Sequence, residues 1–407
     1  MSSHSFDSFQ LRPELLKQIH AANYHTPTPI QAQAIPVALT GKDVLGLAQT
    51  GTGKTAAFVL PILNQLLDGP RGQLRALIIA PTRELAEQIH ESIRTLGKGT
   101  GLHSQTIYGG VSMRTQVNAL RRGVDIVVAC PGRLLDHIQQ RTIILAKVKI
   151  LVLDEADQMF DMGFLPAIKN IIHSIPQQRQ TLLFSATMPP DIQKLTATIL
   201  KDPVTIQVEH TKPLEAITHA IFPVKAHLKT DLLLAMLEQT RTQLVLIFTK
   251  TKHRAKSLDT LLQKKGYRCA SLQGNLSQAK RQAALNGFKD GTYDIMVATD
   301  IAARGIDVSL VSHVINFDLP DTTEAYIHRT GRTGRASRTG DAFSIVCPDH
   351  SDDRDMIRQI ERKMGSPLKE LTLDAFDYNR VNSEIPKGAF ARGPRPAARG
   401  GRQWRSK

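Results

Sequence analysis

Short apolar segments alternate with amphipathic ones along most of this chain. In the first half the apolar runs are rich in β-branched residues and read RALIIAP, DIVVAC, ILVLDEA and TLLFSAT. Segments with helical spacing of apolar residues, such as RELAEQIHESIRTL, lie between them. Continuous apolar strands that alternate with helices are typical of a parallel sheet buried on both faces. The pattern therefore predicts an α/β domain.

The same alternation returns in the second half, where the apolar runs read QLVLIFT, YDIMVATD, HVINFD and DAFSIVCP. Between the halves, the segment IQVEHTKPLEAI contains charges and a proline and shows no strong periodicity. Such a break favours a linker between domains. We predict a first domain over residues 1–207, a linker over 208–216 and a second domain over 217–366.

The C-terminal segment differs in composition from both halves. Between Asn379 and Lys407 there are eight Lys or Arg residues against one Glu, and Gly, Pro and Ala fill most of the other positions. A segment this polar cannot bury enough apolar surface to fold. We predict a basic disordered tail, with bounds at residues 367–407.

The charge of the whole chain points to a polyanionic partner. Lys and Arg number 52 against 37 Asp and Glu, which gives a net charge of +15. Nucleic acid and anionic membrane surfaces are both attracted to such a chain. No apolar run reaches the roughly 18 residues of a membrane span, and the start MSSHSFDSF lacks the apolar core of a signal peptide. We expect a cytoplasmic protein without a membrane partner.

The three cysteines, Cys130, Cys269 and Cys347, are far apart and show no C-x-x-C spacing. We expect reduced thiols in or near the cores, and neither a zinc site nor a disulfide framework.

A glycine-rich segment predicts a phosphate site. AQTGTGKTAAF, residues 48–58, follows an apolar run and opens a helical pattern. Gly51 and Gly53 permit close approach of backbone N–H groups to phosphate oxygens, and the following helix N-terminus favours negative charge. Lys54 is predicted to bind the β- and γ-phosphates, and Thr55 to bind Mg²⁺. The usual first glycine is replaced by Ala48; a purely structural glycine turn is the less favoured alternative.

Three carboxylates follow a fully apolar run in the segment LVLDEADQMF, residues 151–160. Acidic residues in a first helical turn also cap backbone N–H groups, so the segment alone leaves both interpretations open. Together with a phosphate loop, it predicts that Asp154 binds Mg²⁺ through water and that Glu155 orients the water that attacks the γ-phosphate. Asp157 is expected to hold neighbouring polar groups.

Further segments occur in a recognisable order from about Phe6 to about residue 350: AQTGTGKT, PTREL, PGR, DEAD, SAT, ATDIAARGIDV and HRTGRTGR. In this order they resemble the DEAD-box RNA helicase family, and the short basic tail is most similar to the bacterial RhlE-type branch. The resemblance implies an α/β fold of two tandem RecA-like domains with parallel sheets. It also implies an ATP-dependent RNA helicase that uses ATP and Mg²⁺.

The resemblance assigns a nucleotide site. YHTPTPIQ, residues 24–31, resembles the adenine-recognition motif, in which Gln31 pairs with adenine N6 and N7. The family usually has Gly where this chain has Asn23. The implied nucleotide-binding residues are Phe6, Tyr24, Gln31, Thr50, Gly51, Thr52, Gly53, Lys54, Thr55, Gly305 and Asp307. The implied catalytic residues are Lys54, Asp154, Glu155, Arg332 and Arg335, the two arginines being fingers that reach the γ-phosphate from the second domain.

RNA contacts and coupling residues are also implied by the resemblance. The RNA contacts are Pro81, Thr82, Arg83, Gly109, Gly110, Gly132 and Arg133 in the first domain and Gln278, Arg281 and Thr299 in the second. They are expected to contact the RNA backbone largely without regard to sequence. The residues that couple ATP to RNA are Asp157, Ser185, Thr187 and His328. Cys130 replaces the family's usual Thr and is left out of the contact set, because a thiol is a poorer donor.

The expected activity is local, non-processive separation of short RNA duplexes, or remodelling of RNA–protein complexes, coupled to RNA-stimulated ATP hydrolysis. An ATP-gated RNA clamp or scaffold is the alternative. A DNA translocase is disfavoured by DEAD together with YHTPTPIQ. The ribosome and the RNA-degradation machinery are candidate partners besides RNA.

Overall fold

The computed structural model describes residues 5–49, 51–208, 217–239, 244–303, 311–333 and 340–380. Each half of the chain forms one sheet of seven parallel strands with helices around it. The predicted α/β class with two parallel sheets is therefore confirmed. Within the described ranges, none of the helices has the length and apolar character needed to cross a bilayer.

The first sheet has the strand order β3-β4-β2-β5-β6-β1-β7. Its strands are β1 (Val44–Leu47), β2 (Ala76–Ile79), β3 (Ser104–Ile107), β4 (Ile126–Ala129), β5 (Ile150–Leu153), β6 (Gln180–Ser185) and β7 (Val204–Gln207). The central strands β2, β4, β5 and β6 are buried along their whole length. Alternate side chains enter opposite layers, as in β5, where Ile150 and Val152 join one core and Leu151 and Leu153 the other.

The helices of the first half cover both faces of this sheet. They are α1 (Pro13–Ala21), α2 (Pro29–Leu39), α3 (Lys54–Leu66), α4 (Arg83–Leu96), α5 (Met113–Arg121), α6 (Pro131–Gln139), α7 (Ala156–Asp161), α8 (Leu165–His173) and α9 (Pro190–Ile199), preceded by a 3₁₀ turn over Phe6–Phe9. Several begin immediately after a strand, so their N-termini collect at the carboxyl edge of the sheet. That edge is where parallel sheets form ligand sites.

The second sheet has the order β10-β11-β9-β12-β13-β8-β14. Its strands are β8 (Ile217–Pro223), β9 (Leu244–Phe248), β10 (Cys269–Leu272), β11 (Ile295–Ala298), β12 (Val311–Asn316), β13 (Gly340–Val346) and β14 (Lys369–Glu370). Its helices are α10 (Lys229–Gln239), α11 (Lys252–Lys264), α12 (Gln278–Lys289), α13 (Asp300–Ala303), α14 (Thr323–Thr330) and α15 (Ser351–Met364), with a 3₁₀ turn over Ala226–Leu228.

The two sheets repeat one topology. When each strand of the second half is numbered from the first strand of that half, the spatial order is the same as in the first sheet. Thus β8 takes the place of β1, β12 that of β5, and β14 that of β7. Equivalent loops of the two halves can therefore be compared position by position.

The predicted start of the tail at residue 367 is wrong, because the folded second half continues to Arg380. The strand β14 pairs with β8 in parallel and completes the sheet. After it, Leu371, Leu373, Phe376 and Tyr378 pack on the core, and the last two rings meet edge to face at 4.9 Å. These apolar side chains supply buried surface that the basic composition further on lacks. Residues 381–407 and most of the predicted linker, residues 209–216, lie outside the described residues.

Candidate functional site

A cavity of about 1000 Å³ lies between the two halves, at the carboxyl edge of the first sheet. The first half supplies the phosphate loop, the acidic residues after β5 and the segment before α2. The second half supplies side chains of α12 and one arginine. The lining includes Tyr24, Gln31, Gly51, Gly53, Lys54, Thr55, Asp154, Glu155, Gln282, Asn286, Lys289 and Arg332.

The backbone of the phosphate loop adopts the conformation that its glycines predict. Gly51 and Gly53 adopt φ values of +85° and +90°, which other residues rarely adopt, and a Cβ on Gly53 would collide with the Gln31 amide. The helix α3 begins at Lys54, whose amino group is buried and donates to the Ala48 carbonyl at 2.9 Å. Thr52 donates to the Gln49 carbonyl at 2.8 Å inside the loop. Thr50 lies outside the described residues.

Gln31 connects the predicted adenine segment to the loop. Its Oε1 accepts from the Thr28 N–H at 3.0 Å, and its Nε2 donates to the Gly53 carbonyl at 3.0 Å. Asn23 takes a left-handed conformation, φ 59°, which explains how it replaces a glycine. Tyr24 lines the cavity, whereas Phe6 differs from the expectation. Its ring is buried in the core and packs edge-on behind Tyr24 at 6.1 Å, so it supports the cavity wall without forming it.

Asp154 and Glu155 lie side by side after β5, and both are almost fully buried. Asp154 Oδ1 accepts from the Glu155 N–H at 3.0 Å, and Glu155 is held in the left-handed region at φ 52°. Burial raises the pKa of Asp154. Burial and the neighbouring Asp154 raise the pKa of Glu155 to about 7, against the opposing effects of Lys54 and Arg332.

The donor atoms of this cluster fit a nucleotide with a hard cation. Glu155 Oε2 is buried and has no hydrogen-bond partner among the described residues, so it is available to a ligand or water in the cavity. The Thr55 hydroxyl and the Asp154 carboxylate are oxygen ligands of the kind that Mg²⁺ prefers. Lys54 and Arg332 supply the positive charge that phosphates require.

Asp157 does not line the cavity, and it connects two strand ends. Its Oδ2 accepts from the N–H groups of Ala186 and Thr187, at 3.1 and 2.8 Å, and from the Thr187 hydroxyl at 3.0 Å. The Ser185 hydroxyl accepts from the Asp157 N–H at 3.2 Å and donates to the Thr187 carbonyl at 2.7 Å. The SAT segment after β6 is thereby fixed to the helix that follows Glu155.

Arg332 places a positively charged side chain of the second half beside the acidic cluster. Its side chain is buried and lines the cavity, and its Nε donates to the His328 carbonyl at 3.2 Å. Its charge also lowers the pKa of Glu155, although burial outweighs that effect. Of the other residues predicted for this side, Arg335, Gly305 and Asp307 lie outside the described residues.

Comparison with known proteins identifies the family. The model for the DEAD/DEAH box helicase domain matches residues 28–195, and the model for the helicase conserved C-terminal domain matches residues 228–337. The chain is 42% identical over 375 residues to the DEAD-box ATP-dependent RNA helicase CshA of Bacillus subtilis, covering 91% of this chain and 75% of that protein. This chain belongs to the DEAD-box RNA helicases. The helicase is also 39% identical over 378 residues to RhpA of Helicobacter pylori, covering 93% of this chain and 76% of that protein.

Solved structures share the arrangement of the whole helicase. Dbp5 of S. cerevisiae, bound to RNA and ADP BeF3, has 32% identity and a TM-score of 0.82, covering 90% of this chain and 95% of that one. The expected pair of RecA-like domains is therefore confirmed.

Five of the seven predicted RNA residues of the first half lie together. The Arg83 guanidinium occupies the space beside Gly110, where a Cβ would collide with it. Thr82 caps α4 by accepting from the Leu85 N–H at 3.2 Å, and Pro81 is buried beside it. Gly109 lies near the same guanidinium. The helicase thus brings PTREL and the Gly-Gly pair together.

Arg133 is held by its own half. Its Nη1 donates to the Val111 carbonyl at 3.0 Å and to Gln116 Oε1 at 3.2 Å, while Gly132 leaves open space at the start of α6. Gln116 also donates to the Tyr108 carbonyl at 2.9 Å. Sequence reasoning missed Gln116, because a single Gln on a polar helix carries no motif.

Two of the predicted RNA residues of the second half, Gln278 and Arg281, form hydrogen bonds to a residue of the first half. Arg281 Nε donates to Glu84 Oε1 at 2.7 Å, and Gln278 Nε2 approaches the same oxygen at 3.4 Å. Glu84 is 2% exposed, so this ion pair crosses the domain boundary away from solvent. Thr299 is half-buried before α13, and its carbonyl accepts from the Ala302 and Ala303 N–H groups. Glu84, the E of PTREL, was within a recognised motif but had been given no role.

Arg329 is another residue that sequence reasoning missed. It is buried, forms a two-point ion pair with Asp300 at 2.5 and 2.6 Å, and stacks 4.9 Å over the Phe248 ring. Its Nη1 also donates to the Asn316 side chain at 3.0 Å. Arg329 therefore fixes the helix that carries His328, and with it the segment leading to Arg332, to the sheet of its own domain.

Proposed function

We propose that this helicase separates short RNA duplexes locally and non-processively, with ATP hydrolysis stimulated by RNA. One observation carries the proposal: Arg332 of the second domain and Glu155 of the first line a single cavity. The hydrolytic site is therefore complete only when the domains adopt this arrangement. The solved structure of Dbp5 with RNA and ADP BeF3 supports RNA as the ligand that shares the arrangement.

In the first domain, Lys54 and the loop N–H groups bind the phosphates, and Gln31 selects adenine. Mg²⁺, held by Thr55 and Asp154, would neutralise charge on the phosphates when bound. Glu155 orients water and accepts its proton, while Arg332 stabilises charge that develops on the γ-phosphate. Hydrogen bonds within its own domain hold each of Gln31, Lys54, Asp154 and Arg332 in place. We place the domain bounds near residues 5–208 and 217–380.

RNA binding is proposed to select the closed arrangement. Residues around Arg83 and Arg133 contact the RNA backbone from one domain, and Thr299 contacts it from the other. Gln278 and Arg281, which bind Glu84 across the domain boundary, hold the two RNA-binding surfaces together. A ligand that binds both domains stabilises the closed form. The free energy it contributes to closure equals the difference between its binding free energies for the closed and open forms. Because Asp157 and the SAT segment join the two strand ends, they are suited to couple closure to the state of the nucleotide. We place the chain in the bacterial RhlE-type branch on its short basic tail alone, while the relatives compared are of the CshA and RhpA types.

Glu155→Gln tests this function. The amide keeps the shape of the side chain but cannot accept a proton, so ATP and RNA binding should persist while turnover falls by about 10²-fold or more. Steady-state ATPase with a short RNA duplex, together with gel-based strand separation, measures both activities. The exposed Glu14→Gln is the matched control and should behave as wild type. Wild-type ATP hydrolysis by Glu155→Gln would refute the role of Glu155, and turnover without strand separation would favour the clamp.

A further inference from the structure

A second cavity, of about 560 Å³, lies at the carboxyl edge of the second sheet. Its wall includes Ala226 after β8, Lys250 after β9, Asp318 after β12 and Cys347 after β13. Because the two sheets share one strand order, it occupies the position that the nucleotide cavity occupies in the first domain. Ligand sites of parallel sheets form at this edge.

The second cavity lacks the backbone of a phosphate site. The helix α10 begins with Lys229 and Thr230, just as α3 begins with Lys54 and Thr55. The residues before Lys229 read VKAHL and contain no glycine that could bring N–H groups close to a phosphate. Lys229 instead lies 3.3 Å from the carboxylate of Asp318. A ligand here must be recognised by other groups.

Three metal-binding side chains lie on the loop after β13 and the first turn of α15. Cys347, His350 and Asp353 follow one another at intervals of three residues, and their donor atoms all lie within 4.8 Å of one another. The His350 N–H donates to the Cys347 carbonyl at 2.9 Å, and the Cys347 N–H donates to Asp353 Oδ2 at 2.8 Å. These backbone bonds hold the three residues together and leave the second carboxylate oxygen of Asp353 for a ligand.

The charges around this cluster suit a cation. Lys229 and Arg254 both pair with Asp318, and Lys250 pairs with Asp321 at 2.6 Å. Each of the three basic side chains thus has a carboxylate partner, with Lys229 and Arg254 sharing one. Two further aspartates line the cavity beside the cluster, Asp349 and Asp352.

We propose that Cys347, His350 and Asp353 bind a zinc ion, with water in the fourth position. A thiolate, an imidazole and a carboxylate favour zinc, whereas Mg²⁺ and Ca²⁺ prefer oxygen ligands alone. Tetrahedral zinc needs donor atoms about 3.5 Å apart, so the cluster closes by about an ångström, which rotation of the exposed His350 ring allows. As the zinc–sulfur bond forms, the thiol proton is released to solvent.

The ion would join the end of β13 to the start of α15 in the second domain. The sequence led us to expect no zinc site, because that expectation looked for paired cysteines. The spacing here is C-x₂-H-x₂-D, which uses one cysteine only. The fold supplies the other two ligands, because the chain turns after β13 so that a histidine and an aspartate approach the thiol.

Cobalt(II) tests the site, because a bound thiolate gives it a charge-transfer absorption band in the near ultraviolet. The untagged full-length chain is first freed of metal with a chelator and then titrated. We expect one equivalent of Co²⁺ to produce the band and Zn²⁺ to abolish it. Cys347→Ser should lose the band, and His350→Gln should weaken binding by at least about 10-fold. Cys269→Ser, which removes a buried thiol elsewhere in the same domain, is the matched control and should bind as wild type.

The His350→Gln variant keeps the test decisive even if Cys347→Ser fails to fold, because His350 is exposed. Zinc should raise the melting temperature of the wild type and of Cys269→Ser, and not that of His350→Gln. Absence of the band at one equivalent of Co²⁺ would overturn the proposal. So would wild-type affinity in His350→Gln.

Discussion

Glu155 shows how a single residue meets opposing demands. It is buried, sits next to another carboxylate and adopts a left-handed backbone conformation. Each of these features costs free energy in the folded chain. Residues that are held in such unfavourable settings are concentrated at functional sites. The cost is understandable if the charge of Glu155 is used on a ligand.

The raised pKa of Glu155 predicts a pH dependence of stability. Its ordinary value is 4.5 and its value in the folded chain is about 7, so the folded state disfavours the ionised form. The stability that this residue contributes is fully present below pH 4.5 and is lost as the pH rises through 7. In the nucleotide-free chain, the free energy of unfolding should therefore fall over this window by more in the wild type than in Glu155→Gln.

Urea unfolding at several pH values between about 4.5 and 8 measures this difference. The exposed Glu14→Gln should keep the wild-type dependence. Parallel curves for the wild type and Glu155→Gln would contradict the raised pKa.

At the residue scale, the sequence located cavity-lining positions better than it located contacts. That Lys54, Asp154 and Glu155 lie together at the cavity could be predicted, because strand, loop and helix signals fix where the end of a strand projects. The burial of Phe6 behind Tyr24 could not be predicted, because the spacing of residues in the sequence does not show which of two aromatic rings faces the cavity. The Arg281–Glu84 ion pair could not be predicted for another reason. It depends on how the two domains pack against each other, and no local sequence pattern encodes that packing.

Among the elements, the short strand β14 shows how two residues can extend a fold. It contains two residues, yet it completes the second sheet and leads into the apolar segment that ends at Tyr378. Composition alone assigned this region to the tail, because its charged residues outweigh the few leucines that indicate a strand. The strands of the first half were predictable because long apolar runs have no comparable ambiguity.

Truncation should show that this segment belongs to the fold. A chain that ends at residue 366 loses Leu368, which is buried, and the four packed side chains after β14. Loss of this apolar contact should cost at least about 3 kcal/mol and lower the melting temperature by about 6–12 °C. Thermal unfolding followed by circular dichroism measures the change. A chain that ends at residue 380 is the control and should melt as the full-length protein does; equal melting of the two truncated chains would show that the segment does not stabilise the domain.

For the molecule as a whole, the proposed function predicts that contacts between the domains determine when hydrolysis can occur. The first domain carries the phosphate loop and the acidic residues, and the second carries Arg332. The buried pair of Glu84 and Arg281 joins the domains at the wall of the same cavity, which Glu84 also lines. This ion pair therefore helps to hold the two domains in the arrangement that forms the cavity.

Arg332→Lys should separate ATP binding from turnover. Lysine keeps the charge but loses the planar fork that binds two oxygens at once, so RNA-stimulated turnover should fall by about 10³-fold. ATP affinity should change only a few-fold, because Gln31, Lys54 and Thr55 all lie in the first domain. The rate of ATP hydrolysis against RNA concentration, and the binding of a fluorescent nucleotide, measure the two effects.

The exposed Arg358→Lys provides the matched control, since its only described ion pair is with Asp355 on the surface of α15. Recovery of full turnover by Arg332→Lys at saturating RNA would show that this arginine serves RNA binding alone.

The shared strand order of the two sheets also bears on ancestry and assembly. Two copies of one fold here meet through different surfaces, since one presents its strand ends and the other presents α12 and the end of α14. An interface of this head-to-tail kind has no internal reason to stop at two copies and would extend into a ring or a filament. In this chain the segment before α10 has no glycine, so the second set of strand ends offers no phosphate site for a third copy to complete. The difference between the two copies therefore removes what a head-to-tail contact would need in order to repeat at that end.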